Sequence, residues 1–226
     1  MTSSRLKQLH VLHITKNQPF CAGIVLTQQG RLALTLNTDG LPATLDKEQV
    51  WRVGGVGGGQ EANETIWECA TREAREELSC EVQLLSSPTT YFHDIDTGEV
   101  YEVPCQDTPA PFLLECQSNF FPYTPYKPGL PTGPYTYFGL FLAQLTDPAA
   151  VLQPGDDVVG LLLIEPEQWP LLLQQPTLES MLQHGAQIIE RTSTPLSPHK
   201  QLWVPPDESF RTVVPLLLKH PELLPG

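Results

Sequence analysis

The residues best able to do chemistry lie in one stretch, GGGQEANETIWECATREAREEL, from Gly57 to Leu78. Set on a helix at about 100° per residue, Ile66, Trp67, Ala70, Ala74 and Leu78 share one arc, the face expected to pack on a sheet. Glu73 and Glu77 fall at the edge of that arc and Glu76 on the adjacent flank, whereas Glu68 and Arg75 lie opposite it. Glutamates at i, i+3 and i+4 crowd three negative charges together, each like-charged pair costing about 0.2–0.5 kcal/mol. Two of them also border the desolvated face, where an unpaired carboxylate is expensive. A hard divalent cation removes both penalties, because clustered carboxylate oxygens are what Mg²⁺ or Mn²⁺ prefers. Arg72, one turn before Glu76, has the right spacing to hold that carboxylate in one rotamer; the competing reading of the whole cluster is a structural ion-pair network.

Ahead of the helix, Gly57, Gly58 and Gly59 stand in succession. A backbone without Cβ atoms can approach a ligand closely and turn sharply. It leaves carbonyls free as extra metal ligands, and amides near the helix N-terminus free to meet an anion. A Gly-rich loop running directly into a carboxylate-bearing helix therefore places phosphate and cation side by side.

These residues resemble the signature of the Nudix hydrolases: Gly, five residues, Glu, seven residues, then Arg-Glu-apolar-any-Glu-Glu-any-Gly-apolar. Gly58 opens it, Glu64 follows after five residues, and after seven more come Arg72, Glu73, Ala74, Arg75, Glu76 and Glu77. Every charged position is present. Ser79 replaces the usual Gly, Cys80 stands at the apolar position, and Asn63 replaces a common Gly before Glu64. Asn tolerates left-handed conformations, whereas Ser79 is expected to alter how the helix terminates.

The resemblance implies a Nudix-type α/β/α sandwich with a mixed sheet, and hydrolysis of a nucleoside diphosphate linked to another moiety. It implies a metal site, for Mg²⁺ or Mn²⁺, made by Glu73, Glu76, Glu77 and a backbone carbonyl near Gly58. Glu76 or Glu77 would serve as ligand and base, Arg72 would orient, and Glu64 would support the loop. PGDDVVGLLLIEPEQW (154–169) is similar to the family's late acidic loop and strand, which makes Asp157, or Asp156, an alternative base. An ordinary Asp-rich turn explains those two residues equally well. A rival from another class is a non-catalytic Nudix-like module that binds a nucleotide as a sensor. Many relatives are dimers, which leaves a homodimer open.

The elements that must position these residues read as follows. Residues 20–36 form a hairpin turning at Gln28-Gln29-Gly30, and 51–56 a short strand running into the glycines. A helix spans roughly 64–78; strands follow at 81–85, 89–95, 135–145 and 158–166, and helical spacing recurs at 177–190 and 209–218. Residues 104–134 hold eight of the 23 prolines, interleaved with Phe120, Phe121, Tyr123 and Tyr126. That stretch reads as a rigid, irregular excursion rather than a central strand. It is either a surface loop packed on its own aromatics or a substrate-facing loop whose rings stack on a flat group. The expected organisation is one domain over 1–226, with a core at about 20–190 and a C-terminal helical elaboration at about 191–226.

Composition bounds the rest. A formal charge of −13 over 226 residues argues against a nucleic-acid polymer as partner, because phosphate-backbone binders present a basic footprint. A small anionic diphosphate is compatible with it, provided a cation inverts the local field. No apolar run approaches the roughly 20 residues that span a bilayer, and MTSSRLKQLHVLHITKNQPF lacks the h-region of a secretory signal. Five cysteines without a CxxC pair suggest free thiols in a reducing cytoplasm.

Overall fold

The computed structural model describes residues 6–155, 158–191 and 195–224. In chain order the elements are α1 (Val11–Thr15), β1 (Phe20–Gln28), β2 (Arg31–Asn37), β3 (Val50–Gly54), β4 (Val56–Gly59), α2 (Ile66–Leu78), β5 (Val82–Leu85), β6 (Thr90–Asp94), β7 (Glu99–Val103), β8 (Leu113–Ser118) and β9 (Tyr135–Leu145). They continue with β10 (Gly160–Ile164), α3 (Trp169–Leu172), α4 (Leu178–Gln183), β11 (Gln187–Glu190), β12 (Gln201–Trp203) and α5 (Phe210–Lys219). Strands of mixed direction carry few helices, as a mixed α/β fold requires. Two compact units interleave along the chain: one takes residues up to 24, 57–73 and 83–143, the other 25–56, 74–82 and 144 onward.

In the first unit β6 pairs antiparallel with β7 and parallel with β8, and β8 pairs antiparallel with β9. The start of α2 packs on β9. Ile66 occupies the space that a Cβ on Gly139 would need, at 2.6 Å, and the Trp67 and Phe141 rings meet at 6.2 Å. The fully buried Phe112, Phe141 and Leu113 anchor this core.

The strand β8 overturns part of the expectation for residues 104–134. It is a central strand, lying between β6 and β9. The prolines fall at 104, 109 and 111 and again from 122 onward, so residues 112–121 are proline-free and keep every ladder N–H. The irregular excursion is therefore shorter, running from Asn119 to Pro134.

In the second unit β2 pairs antiparallel with both β3 and β10, and β10 with β11. The hairpin turn sits where expected. Gln28 pairs with Arg31, and Gln29 and Gly30 both have positive φ (53° and 76°), the two-residue turn that matches strand twist. The helix expected over 177–190 stops at Gln183. Gly185 takes φ 95°, and Ile188 and Ile189 go into β11 instead. The C-terminal segment is not purely helical: β12 adds in parallel to β3, and α5 follows with Phe210 buried against Gly55.

The signature helix begins later than its spacing suggests, because Thr65 and Glu68 form a reciprocal cap. The Thr65 N–H donates to Glu68 Oε2 at 2.8 Å and the Glu68 N–H to Thr65 Oγ1 at 3.3 Å. Glu64 thus lies outside the helix. At the other end Ser79 takes the left-handed conformation (φ 52°) and its N–H still closes on Arg75 O at 3.0 Å. The missing glycine changes the energy of that stop, not its form. The last carbonyls are met by a later loop: Gly155 N–H donates to Glu77 O at 2.9 Å and Gln153 N–H to Leu78 O at 3.0 Å. A Cβ on Gly155 would fall 1.8 Å from Glu76 O. Gly155→Ala is expected to lower stability by about 1–3 kcal/mol, the usual scale of overpacking, read as a fall in melting temperature.

Candidate active site

The site is built around Arg72. Its Nε and Nη2 donate to the two Glu64 oxygens at 2.8 and 3.0 Å, a forked pair, while Nη1 donates to Glu73 Oε1 at 2.7 Å. Nη2 also donates to the carbonyl of Gly59 at 2.9 Å. The three side chains are largely buried, between 10 and 13% exposed. The turn ahead of the helix is closed by Glu61 N–H on Glu64 Oε2 at 2.8 Å. Asn63 at its apex has φ 64°, as its tolerance of that conformation predicts.

Gly58 has a steric reason to be glycine. A Cβ there would stand 2.5 Å from Glu73 Oε1, so the Glu73 carboxylate lies directly on the Gly58 backbone. The Cys69 thiol approaches the Gly58 carbonyl at 3.6 Å. Glu73 therefore connects the glycine turn, the guanidinium and the helix. On the next turn of α2, Glu76 and Glu77 are partly buried, Ala74 and Leu78 are fully buried, and Arg75 is exposed, the division that the spacing predicts.

Charge and burial act on the neighbouring groups in a readable way. Burial pushes the Glu64 carboxyl up, but the Arg72 hydrogen bonds and charge and the Glu61 N–H outweigh it and hold the pKa below its ordinary 4.5. Burial raises the Cys69 thiol far above its usual range, with Glu64 adding to the effect. Cys21 is pushed up to about 11 by burial and by the Glu73 charge. A catalytic cysteine has no support here, since neither thiol is a thiolate near neutral pH.

Of the residues picked from the sequence, Gly58, Arg72 and Glu73 are in contact, and Glu76 and Glu77 follow on the same helix. Asp156 and Asp157 lie outside the described residues; Gly155, just before them, is bonded to the end of α2. Among the described residues no three His, Cys, Asp or Glu side chains are gathered as a metal cluster. Glu73 is turned to Arg72.

The spacing gives no sign of Gln60, and it leaves Tyr126 and its neighbouring rings between a self-packed surface loop and a substrate-facing one. Gln60 is buried and exchanges hydrogen bonds with Phe20, its Oε1 accepting from the Phe20 N–H at 2.6 Å. Beside it opens a cavity of about 540 Å³, lined among others by Phe20, Gln60, Gln117, Phe120, Tyr123 and Tyr126. The excursion thus faces a cavity next to the glycine turn. No periodicity in so proline-rich a stretch could have indicated this.

The match to known proteins agrees with the motif. Residues 17–126 match the family model of the NUDIX domain. That segment, just under half of the chain, contains the whole signature from Gly58 to Glu77. The matched segment reaches into the 104–134 stretch as far as Tyr126, further than the motif alone suggests. Similar solved structures include a Nudix hydrolase from Nitrosomonas europaea at 16% identity and TM-score 0.38, which covers 66% of this chain and 57% of that one. An ADP-ribose pyrophosphatase from Streptococcus suis has 12% identity and TM-score 0.37, covering 66% and 75%. An Ap4A hydrolase from C. elegans has 15% identity and TM-score 0.37, covering 67% and 82%. No curated protein matches. The chain spans little more than half of the first of these structures.

Two outcomes follow for the clamp. Arg72→Gln strands two largely buried carboxylates and is expected to cost about 3 kcal/mol or more in chemical denaturation. Because the folded-state pKa of Glu64 is the lower one, its contribution is complete above pH 4.5 and is lost as pH falls through the folded value. Glu64→Gln should flatten that acid limb of the stability profile.

Proposed function

We propose that the protein is a divalent-metal-dependent pyrophosphohydrolase that cleaves the diphosphate linkage between a nucleoside and another moiety. One observation carries the reading: the Glu73 carboxylate is laid on the Gly58 backbone and fixed there by Arg72, which also pins the glycine turn through Gly59. An ion-pair network accounts for Arg72, Glu64 and Glu73; it gives no reason for Glu76 and Glu77 to crowd the next turn at the edge of the buried face.

The donors suit a hard cation, since Glu73, Glu76, Glu77 and the Gly58 carbonyl offer only oxygen. These groups would hold Mg²⁺ or Mn²⁺, which when bound neutralises phosphate charge and lowers the pKa of a water. Glu76 or Glu77 accepts the water's proton, with Asp157 as the alternative base. Arg72 keeps Glu73 in one rotamer and the glycine turn closed, and Glu64 holds Arg72 in turn. The main-chain N–H groups of the turn meet the diphosphate. Five free cysteines support a reducing, cytoplasmic setting, and no helix among the described residues is long and apolar enough to cross a membrane.

The test is release of phosphate or nucleotide from a panel of diphosphates, with and without Mg²⁺ or Mn²⁺. Wild type should turn over only with metal. Glu76→Gln and Glu77→Gln should each lose on the order of a hundredfold or more in kcat, the scale of general-base and electrostatic contributions. Full rates in both variants would defeat the assignment. Gly58→Ala should lose both activity and stability, because its Cβ would push the buried Glu73 carboxylate off Arg72; unchanged activity there would remove Glu73 from the site.

A further inference from the structure

The cavity beside the glycine turn has a chemistry of its own. None of its lining residues is Asp, Glu, Lys, Arg or His, in a protein whose formal charge is −13. Its one titratable thiol, Cys21, stays protonated. A phosphate or carboxylate entering it would find no compensating cation, so the group it takes is neutral.

Its lining combines aromatic rings with uncharged polar groups. Phe120 and Tyr126, on the excursion, are 95 and 79% exposed although both line the cavity. Tyr126 lies beside the turn: its ring comes within 3.3 Å of where a Cβ on Gly59 would lie, and the Gly59 carbonyl is the one bound by Arg72. The polar part of the lining is uncharged. Gln117 and Thr136 face each other across β8 and β9, and Asn119 is locked by Nδ2 on Gly133 O at 2.9 Å and by the Thr136 hydroxyl on its Oδ1 at 3.0 Å. Gln60 spends its oxygen on Phe20, which leaves its NH₂ end as a donor. Exposed aromatic faces beside uncharged amides fit a flat, neutral ring with a polar edge better than a sugar phosphate.

We infer that Tyr126 and Phe120 are the specificity-determining residues, stacking on the heteroaromatic base of the substrate and seating it against the glycine turn. The inference rests on the proposed hydrolysis for its substrate and on the cavity for its chemistry. It makes this pocket the base end of the substrate, with the leaving moiety directed elsewhere. It also gives the proline-rich excursion its purpose, since prolines hold two rings at the mouth of the cavity with little conformational entropy to lose on binding.

Binding separates the two readings. AMP, which has no diphosphate linkage to cleave, should bind wild type when titrated in the presence of Mg²⁺, and Tyr126→Ala and Phe120→Ala should each weaken it roughly tenfold. Tyr126→Phe should restore binding, because it keeps the ring face. Leu12→Ala, an exposed apolar change away from the cavity, should leave it unchanged. Both aromatic side chains are exposed enough that truncation spares the fold, checked by melting temperature. With metal, the same variants should raise KM for base-bearing diphosphates and leave kcat near wild type. Unaltered AMP affinity in both alanine variants, or ribose 5-phosphate or an isoprenyl phosphate binding as tightly as AMP, would overturn the inference. AMP binding that depends on Tyr126, in a protein that never hydrolyses a diphosphate, would uphold it and remove the hydrolase reading instead.

Discussion

The guanidinium of Arg72 is the constraint on which the candidate site depends. It is charged at every relevant pH, it is largely buried, and it presents donors in a rigid plane. Such a group is tolerated inside a fold only when its donors are met, and here they are met by Glu64, Glu73 and the Gly59 carbonyl. Glycines bring no side chains with which to hold their own turn. The fork does that for them, tying residues on both sides of the helix start to one point. The capping pair at Thr65 and Glu68 completes the arrangement by starting the helix after Glu64, which frees that carboxylate to turn back.

Acidity and neutrality divide the labour. The helix flank concentrates carboxylates, and the neighbouring cavity carries no charge. Their separation is a matter of sequence distance as well as chemistry. Carboxylates come from α2, whereas the cavity draws its rings from a proline-rich stretch some fifty residues later. One element is periodic; the other is irregular.

What could be read from the sequence follows the same division. Periodicity located the buried face of α2, the exposed Arg75 and Glu68, the hairpin turn at Gln29 and Gly30, and β9 at its full length. Counting prolines over a long window hid β8, because what matters to a strand is where the prolines fall, and residues 112–121 have none. The run at 177–190 looked helical because Ile188 and Ile189 keep the spacing, but Gly185 breaks the chain direction before them. Contacts at long range had no local signal at all. Nothing in the sequence says that Tyr126 would rest on Gly59, or that Gly155 would cap the end of α2.

The cysteines carry a consequence for how the protein ages. All five are free, and burial is the leading cause that raises the pKa of each. Attack by peroxide or by a disulfide requires the thiolate, whose population falls tenfold for every unit by which the pKa rises. A chain with five thiols is therefore chemically quieter than its cysteine content suggests. Oxidative damage should begin elsewhere, and Cys69, packed under Arg72 beside the glycine turn, keeps its proton while the site around it stays folded.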